Sequence, residues 1–354
     1  MTVKNTRVAI LAEANFNVYA AKTAVGVIRY SDNPVVAVID STNAGKTVQD
    51  VLGFGGDIPI VASMAEAEKF QPEALIIGIA PTGGRLPDTW RKIVNDALEA
   101  RLDIWSGLHS FLADDPEFAE LAAIKGAKIW DVRRPKENLD VANARALDAR
   151  AYIVLAVGTD CNIGKMTVCL ELQKLARERG FKAGFVATGQ TGILISGDGT
   201  PLDAVPGDFM PGEVERLVLE QDKAGCDVIF VEGQGSITHP GFGAVTLGLL
   251  LGALPDAFIL CHEPGRTHYR PTKTIPIPSL PDTVALYENL MKQYKAPKVA
   301  AVALNTYQMS ADDAAQAEKA VAQELNLPAA DPIRTGVSAL WEALEPQVKQ
   351  KIGR

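Results

Sequence analysis

Residues 151–175, AYIVLAVGTDCNIGKMTVCLELQKL, leave the chain little choice of local structure. Residues 152–157 form a short apolar run rich in β-branched side chains, the pattern of a buried parallel strand. The run breaks at Gly158. Apolar residues resume at helical spacing after Lys165, with Met166, Cys169, Leu170, Leu172 and Leu175. Strand, glycine-bounded loop, Gly-Lys and helix together describe a phosphate-binding loop. Such a loop turns successive backbone N–H groups inward, the helix N-terminus adds free donors and partial positive charge, and the lysine adds a full charge. Five residues, Thr159 to Ile163, separate Gly158 from Gly164, one more than the common pattern. A plain strand-to-helix turn can also hold Gly-Lys, but the strand and helix on either side favour phosphate. The candidate contacts are Gly158, Thr159, Asn162, Gly164, Lys165, Met166 and Thr167.

The 354 residues suffice for two domains, and 47% hydrophobic with 22% charged residues can fill two cores. A net charge of −8 argues against nucleic acid or an anionic membrane as partner, while leaving room for a local basic pocket. The four cysteines, Cys161, Cys169, Cys226 and Cys261, are not at metal-ligand spacing. Reduced, mostly buried thiols of a cytoplasmic protein are expected, and no metal site. Cys161 lies in the phosphate loop, where a small filler is a commoner role than a nucleophile. The opening MTVKNTRVAILAEA does not read as a signal peptide, and no apolar run is long enough for a bilayer.

Residues 1–135 alternate strand and helix patterns. Strands are expected at 8–12, 35–40, 58–61, 74–79, 103–106 and 128–132, and helices at 17–30, 65–69, 86–100 and 116–125. That alternation implies a Rossmann-like parallel sheet. The first strand, however, runs into Ala12-Glu13-Ala14-Asn15-Phe16 without G-x-G-x-x-G, so Asp40 alone is weak support for a dinucleotide. Two glycine loops follow strands, Pro81-Thr82-Gly83-Gly84-Arg85 and Trp105-Ser106-Gly107-Leu108-His109. Either is a ligand loop, with Arg85 as a substrate contact, or a turn with incidental polar residues. Residues 136–150 read as a polar connector with helical content; Arg133 and Arg134 just before it are a solvated pair or face a cleft.

Residues 151–354 read as a second, doubly wound α/β domain. Thr188-Gly189-Gln190-Thr191-Gly192 looks like a flexible turn, and residues 197–212 like a long functional loop. The strand at 227–231 ends in Glu232-Gly233-Gln234-Gly235-Ser236; an acid there handles metal or water in phosphate-loop proteins. The strand at 257–261 opens into HEPGRTHYR, the densest polar cluster of the chain. Since these motifs all follow strands, the active site is expected between the two domains, at the carboxyl edges of both sheets.

GTDCNIGKMT resembles the phosphate loop of dethiobiotin synthetase-type proteins, and VEGQGS their strand-end V-E-G. Over both domains, VIDSTNAGK, APTGGR, WDVRRP, GTDCNIGKMT, VEGQGS and HEPGRTHYR together resemble a two-domain family formerly of unknown function, now associated with D-glutamate N-acetyltransferase. The resemblance implies acetyl transfer from acetyl-CoA, as co-substrate and not as a bound cofactor, to the amine of an acidic D-amino acid. The likeness to dethiobiotin synthetase-type proteins implies Asn305 as an adenine contact, for which a turn asparagine is the alternative. A homodimer is the expected assembly.

The residues are compatible with that chemistry. The hydroxyl that usually holds Mg²⁺ would follow the lysine, and Met166 stands there. Thr167 lies roughly 100° further around the helix. The acceptor needs cations for its carboxylates, for which Arg266 and Arg270 are the best forks. It needs a base, for which His262 and Glu263 are first candidates and His239 the next, with Glu232 as a further catalytic candidate. It needs oxyanion donors, expected along Gly233, Gln234, Gly235 and Ser236. The alternative is an ATP- and Mg²⁺-dependent ligase or kinase of dethiobiotin synthetase type acting on a small carboxylate.

Overall fold

The structure, a computed structural model, describes residues 5–79, 81, 83–270, 272 and 274–354. The first four residues of the opening segment, and Ala80 and Thr82 of the APTGGR motif, lie outside the described residues. The chain divides into two compact units: Met1–Lys136 with Gly189–Ala204, and Glu137–Thr188 with Val205–Arg354.

In the first unit, β1 (Val8–Leu11), β2 (Val35–Ile39), β3 (Ile60–Val61), β4 (Ala74–Ile77), β5 (Asp103–Ser106) and β6 (Ile129–Asp131) form one sheet, ordered β3-β2-β1-β4-β5-β6. Every pairing is parallel. All residues of β1 and β4 are buried, which is why both read as unbroken apolar runs. The strand order reverses from β1 to β4, which opens a crevice at their carboxyl ends.

The segment Gly189–Ala204 fills that edge. Its helix Gln190–Ser196 buries Ile193, Leu194 and Ile195. Thr191 shares a 3.0 Å hydroxyl contact with Thr23, in the first turn of the helix after β1. Gln190 packs on Gly107, just past β5, so closely that a side chain there would fall 2.9 Å from its Cγ. Arg133, past β6, donates from Nε to the Gly107 carbonyl (2.7 Å) and pairs with Asp203. Arg133 is thus a buried tie and not a solvated charge, whereas Arg134 lies half-exposed over Phe111. The expected flexible turn at 188–192 is instead the start of this helix. Two glycines mask it in sequence, and the apolar triplet 193–195 stabilises it by burial.

Asp40 is fully buried and its carboxylate is consumed locally. Oδ1 accepts from the Ala14 N–H (3.0 Å), the Thr42 N–H (3.1 Å) and the Thr42 hydroxyl (2.7 Å), and Oδ2 from Asn43 (2.8 Å). It staples two loops and has little left to offer a ribose.

In the second unit, β7 (Tyr152–Gly158), β8 (Ala183–Val186), β9 (Val228–Val231), β10 (Ala257–His262), β11 (Lys298–Leu304) and β12 (Ala329–Ala330) form another parallel sheet, ordered β12-β11-β10-β7-β9-β8. β7 is central and all seven of its residues are buried. Its neighbours are β9 and β10, so the loops after β7, β9, β10 and β11 leave one edge side by side. The connector carries one short 3-10 turn, Arg145–Asp148, and is pinned by the buried Glu215, which accepts from the Asn143 N–H (3.2 Å), the Arg145 N–H (2.6 Å) and Arg145 Nε (2.8 Å). No helix among the described residues is long and apolar enough to cross a membrane.

Candidate functional site

The phosphate loop has the geometry its spacing predicts. β7 ends at Gly158 and the helix Lys165–Glu178 begins at once after Gly164. The turn is made with two left-handed residues, Asn162 (φ 54°) and Gly164 (φ 102°), the residue types that adopt this region most readily. Met166 is buried and Thr167 half-buried in the first turn of the helix; Asn162 is exposed. Lys165 is only 6% exposed and its ammonium donates to the Asp160 carbonyl (2.7 Å).

β9 delivers the second motif. Gly233 passes so close to β7 that a Cβ there would fall 1.6 Å from the Ala156 carbonyl and 2.9 Å from Lys165 Cδ, so no side chain fits. Glu232 is buried beside it, and its Oε2 accepts from the Thr188 N–H (3.0 Å) while the Thr188 hydroxyl donates to its carbonyl (2.8 Å). Gln234 donates to the Thr188 carbonyl, and its own carbonyl accepts from the Thr246 hydroxyl (2.7 Å). Ser236 is buried 3.5 Å from the Thr238 hydroxyl, which in turn meets the Tyr269 hydroxyl.

β10 delivers HEPGRTHYR. His262 Nδ1 lies 3.1 Å from the Thr159 hydroxyl. Burial, with Arg266 nearby, pushes the imidazole down to about 4, so it is neutral near pH 7. Asp160, in the phosphate loop, is fully buried. Its Oδ1 accepts from the Cys161 N–H (2.7 Å), and its Oδ2 from Arg266 Nη1 (2.9 Å) and the Arg270 N–H (3.3 Å). Arg266 Nη1 also donates to the Cys161 carbonyl (2.8 Å), and Nη2 pairs with Glu263. The Arg266 side chain is 6% exposed, whereas that of Arg270 is 63% exposed and lies 3.7 Å from Glu263 Oε1.

His239 is committed at both ring nitrogens. The Gly241 N–H donates to Nδ1 (3.0 Å) and Nε2 lies 2.9 Å from the Arg270 carbonyl, which assigns the neutral Nε2–H tautomer. Phe242 and Tyr269 pack on the ring. Asn305 receives the Tyr307 N–H on its own side chain (3.3 Å), and its N–H donates to the His262 carbonyl (2.9 Å). Arg85 belongs to the first unit. It is exposed in a loop where the Gly84 carbonyl accepts from the His109 N–H (2.9 Å), stitching the two glycine loops together.

The sheet order thus gathers Gly158–Thr167, Glu232–Ser236, His262–Arg270 and Asn305 at one edge of the second unit. Sequence reasoning quoted Asp160 in a motif without a role, and it missed Tyr287 altogether. The fully buried Tyr287 donates to the Gly158 carbonyl (2.9 Å) and accepts from the Ile237 N–H (3.1 Å), tying the β7 and β9 loops. Burial pushes its phenol up to about 12, so the proton stays in place. Nothing in the helix Leu280–Met291 marks that residue as other than core.

The four cysteines are free; Cys169 and Cys261 are buried, with thiols pushed well up by burial, Cys261 to about 12. Asp160, Cys161 and His239 present potential metal-ligand atoms within 4.8 Å of one another. A cation fits poorly there. Arg266 already neutralises Asp160, and both nitrogens of His239 are engaged. Met166 offers no hydroxyl at the usual Mg²⁺ position either. The donor set favours an anion: a helix N-terminus, an ammonium and, at the same edge, the exposed guanidinium of Arg270.

Fold and site define a two-domain α/β protein with a Rossmann-like N-terminal sheet and a phosphate loop in its C-terminal domain. The chain belongs to the DUF1611 family, a family of unknown function whose Rossmann-like N-terminal domain matches residues 41–135 and whose P-loop C-terminal domain matches residues 140–341. It is 40% identical to a DUF1611-family protein from Anabaena variabilis with a crystal structure at 2.30 Å resolution; the match covers 97% of this chain and 100% of that one, with a TM-score of 0.92. A protein of Tritonibacter scottomollicae named D-glutamate N-acetyltransferase is 38% identical over 92% of this chain and 94% of its own length. One of the same name from a Pseudoalteromonas species is 35% identical over 78% of this chain and 83% of its own.

Proposed function

We propose that this chain is an N-acetyltransferase that moves an acetyl group from acetyl-CoA to the amine of D-glutamate. The acceptor is inferred from the names carried by the two relatives, which match most of the chain. The donor is inferred from the site. The observation that carries it is a phosphate loop with a buried lysine at a helix N-terminus whose usual Mg²⁺ position holds the buried Met166. Such a loop suits the phosphates of coenzyme A, which need donors and cations but no metal.

The chemistry asks little more of the protein. Lys165 and the N–H groups of the loop hold the donor's phosphates. Arg270, the exposed guanidinium at the same edge, meets an acceptor carboxylate. His262 and Glu263 are the candidate bases for the proton that the ammonium of D-glutamate must lose before its nitrogen attacks the thioester carbonyl; His262 is unprotonated near pH 7 but weakly basic, because burial disfavours its charged form. Backbone N–H groups of Gly233 to Ser236 are the candidate oxyanion donors. As the tetrahedral adduct collapses, the C–S bond breaks and the second amine proton passes to the departing CoA thiolate, leaving N-acetyl-D-glutamate and CoA, while the first proton is released to solvent.

The test is direct. Purified protein is mixed with acetyl-CoA and D-glutamate, and free thiol is followed with a chromogenic disulfide. Thiol release that needs D-glutamate, with N-acetyl-D-glutamate identified by mass spectrometry, supports the reading. Turnover of ATP in place of acetyl-CoA, dependent on Mg²⁺ and an acidic substrate, overturns it in favour of the ligase or kinase alternative.

A further inference from the structure

Arg266 and Arg270 look equivalent in sequence, two guanidinium groups four residues apart in one polar loop. The structure separates them. The three donor bonds of Arg266 go to consecutive residues of the phosphate loop, Asp160 and Cys161, and to Glu263 in its own segment. Its side chain is 6% exposed. Of its five N–H donors, then, few are left to face a ligand.

Asp160 is the other half of the arrangement. It is fully buried, and the groups facing its carboxylate come from three segments: the Cys161 N–H, Arg266 Nη1, the Arg270 N–H and, 3.8 Å away, His239 Nε2. Its carbonyl accepts from Lys165. Remove the guanidinium and the carboxylate is buried without a charged partner, which is strongly unfavourable. The loop could relieve that only by turning Asp160 outward, and residues 160–161 would move with it.

We infer that Arg266 is a positioning residue, which holds the phosphate loop in its anion-binding shape through Asp160 and Cys161 and does not itself clamp the acceptor. The inference rests on reading this loop as a phosphate site. Arg270 is thereby left as the guanidinium that meets substrate. Glu263 belongs with Arg266, since it steadies the guanidinium from the opposite side and spans to Arg270.

Cys161 makes the loop's shape measurable without any enzyme assay. It is half-buried within the segment that Arg266 holds, and Cys226, half-buried just before β9 at the amino edge of the same sheet, serves as internal control. The full-length protein is treated with iodoacetamide, and alkylation of each cysteine is followed by peptide mass spectrometry in wild type, Arg266→Ala, Arg266→Lys and Asp160→Asn. Cys161 is expected to react at least about fivefold faster in Arg266→Ala, with Cys226 unchanged. Arg266→Lys keeps the charge but cannot reach three acceptors at once, so its rate should fall between the two. Affinity for inorganic pyrophosphate should drop about tenfold in Arg266→Ala, and the Asp160→Asn/Arg266→Ala pair should lose little beyond the single change. In turnover, KM for acetyl-CoA should rise while KM for D-glutamate stays within about twofold.

Unchanged Cys161 reactivity with a KM rise confined to D-glutamate would overturn the inference and make Arg266 a substrate clamp. Equal acceleration at Cys226 would also overturn it, by making Arg266 a general fold contact. Should Arg266→Ala not fold, Arg266→Lys and Asp160→Asn carry the same comparison. Should wild type not turn over acetyl-CoA, the proposed function falls, but the alkylation and pyrophosphate measurements still decide the role of Arg266.

Discussion

The Lys165 ammonium lies 2.7 Å from the carbonyl oxygen of Asp160, donating into the loop that Lys165 itself closes. That carbonyl is neutral, and an arriving phosphate would offer the ammonium a stronger, charge-assisted partner. Lys165→Ala should therefore weaken CoA binding by about 1.5–3 kcal/mol, the range for a hydrogen bond to a charged group. That is a loss of roughly 10- to 150-fold by calorimetry. Unchanged affinity would mean that the phosphates bind elsewhere.

His262 sets a pH dependence whose sign follows from its environment. Its folded value is pushed from 6.5 to about 4, mainly by burial and then by Arg266. Above 6.5 both folded and unfolded chains carry the neutral ring. As pH falls, the unfolded chain takes up a proton that the folded chain refuses until about pH 4. The unfolded state binds more protons across that window, so stability present above about 6.5 is lost as pH falls towards 4. The loss attributable to this group is at most ~3 kcal/mol. Denaturant melts at pH 7, 5.5 and 4.5 measure it, and His262→Gln should remove that share of the slope. Identical slopes in the two proteins would assign the dependence to other groups.

Arg270→Ala should raise KM for D-glutamate on the order of tenfold, the effect of losing ~1.4 kcal/mol of charge pairing at a partly exposed site. KM for acetyl-CoA should stay near its wild-type value. The side chain is 63% exposed, so melting temperature should barely move. A large drop in melting temperature would show that Arg270 is structural.

Tyr287 offers a sharper test of architecture. Its hydroxyl bridges the Gly158 carbonyl and the Ile237 N–H in a fully buried setting. Tyr287→Phe leaves both backbone groups without that partner, which costs about 1–3 kcal/mol for each buried group left unsatisfied. Urea unfolding should show the loss, and kcat should fall because the loops after β7 and β9 are no longer tied. Full stability in Tyr287→Phe would mean that water replaces the hydroxyl.

What could be read in the sequence was whatever is local. The alternating runs gave both parallel sheets because strands buried on both faces are continuous apolar segments. The phosphate loop was legible because strand, glycines, lysine and helix are contiguous. The helix Gln190–Ser196 was not, since Gly189 and Gly192 mimic a turn and its stability comes from packing in the first unit. The two-residue β12 is too short to carry a period. In the site, Arg266 and Arg270 are alike by composition, and they part only through Asp160, 106 residues earlier in the chain than Arg266. Tyr287 reaches Gly158 across 129 residues from an ordinary amphipathic helix. No local pattern encodes such meetings; the order of β9, β7 and β10 in the sheet does.

Metal dependence separates the two chemistries that a phosphate loop can serve. An ATP enzyme holds Mg²⁺ with the residue after the loop lysine and with a strand-end acid. Here the first is the buried Met166, and the second, Glu232, accepts the Thr188 N–H at 3.0 Å. Transacylation from a thioester is driven by the thioester itself and needs neither ATP nor a metal. Acetylation of D-glutamate should thus survive a chelator without loss of rate. Met166→Thr, which restores a hydroxyl at the usual position, should bring no Mg²⁺-dependent gain. De-phospho-CoA, lacking the 3′-phosphate, tells which phosphate the loop holds. If the loop grips the 3′-phosphate, the acetylated analogue should show a raised KM in wild type and little further change in Lys165→Ala. If it grips the pyrophosphate, Lys165→Ala should weaken both donors alike. A rate that falls with chelator and returns with Mg²⁺ would favour a metal-dependent reaction, with Glu232 as its candidate ligand.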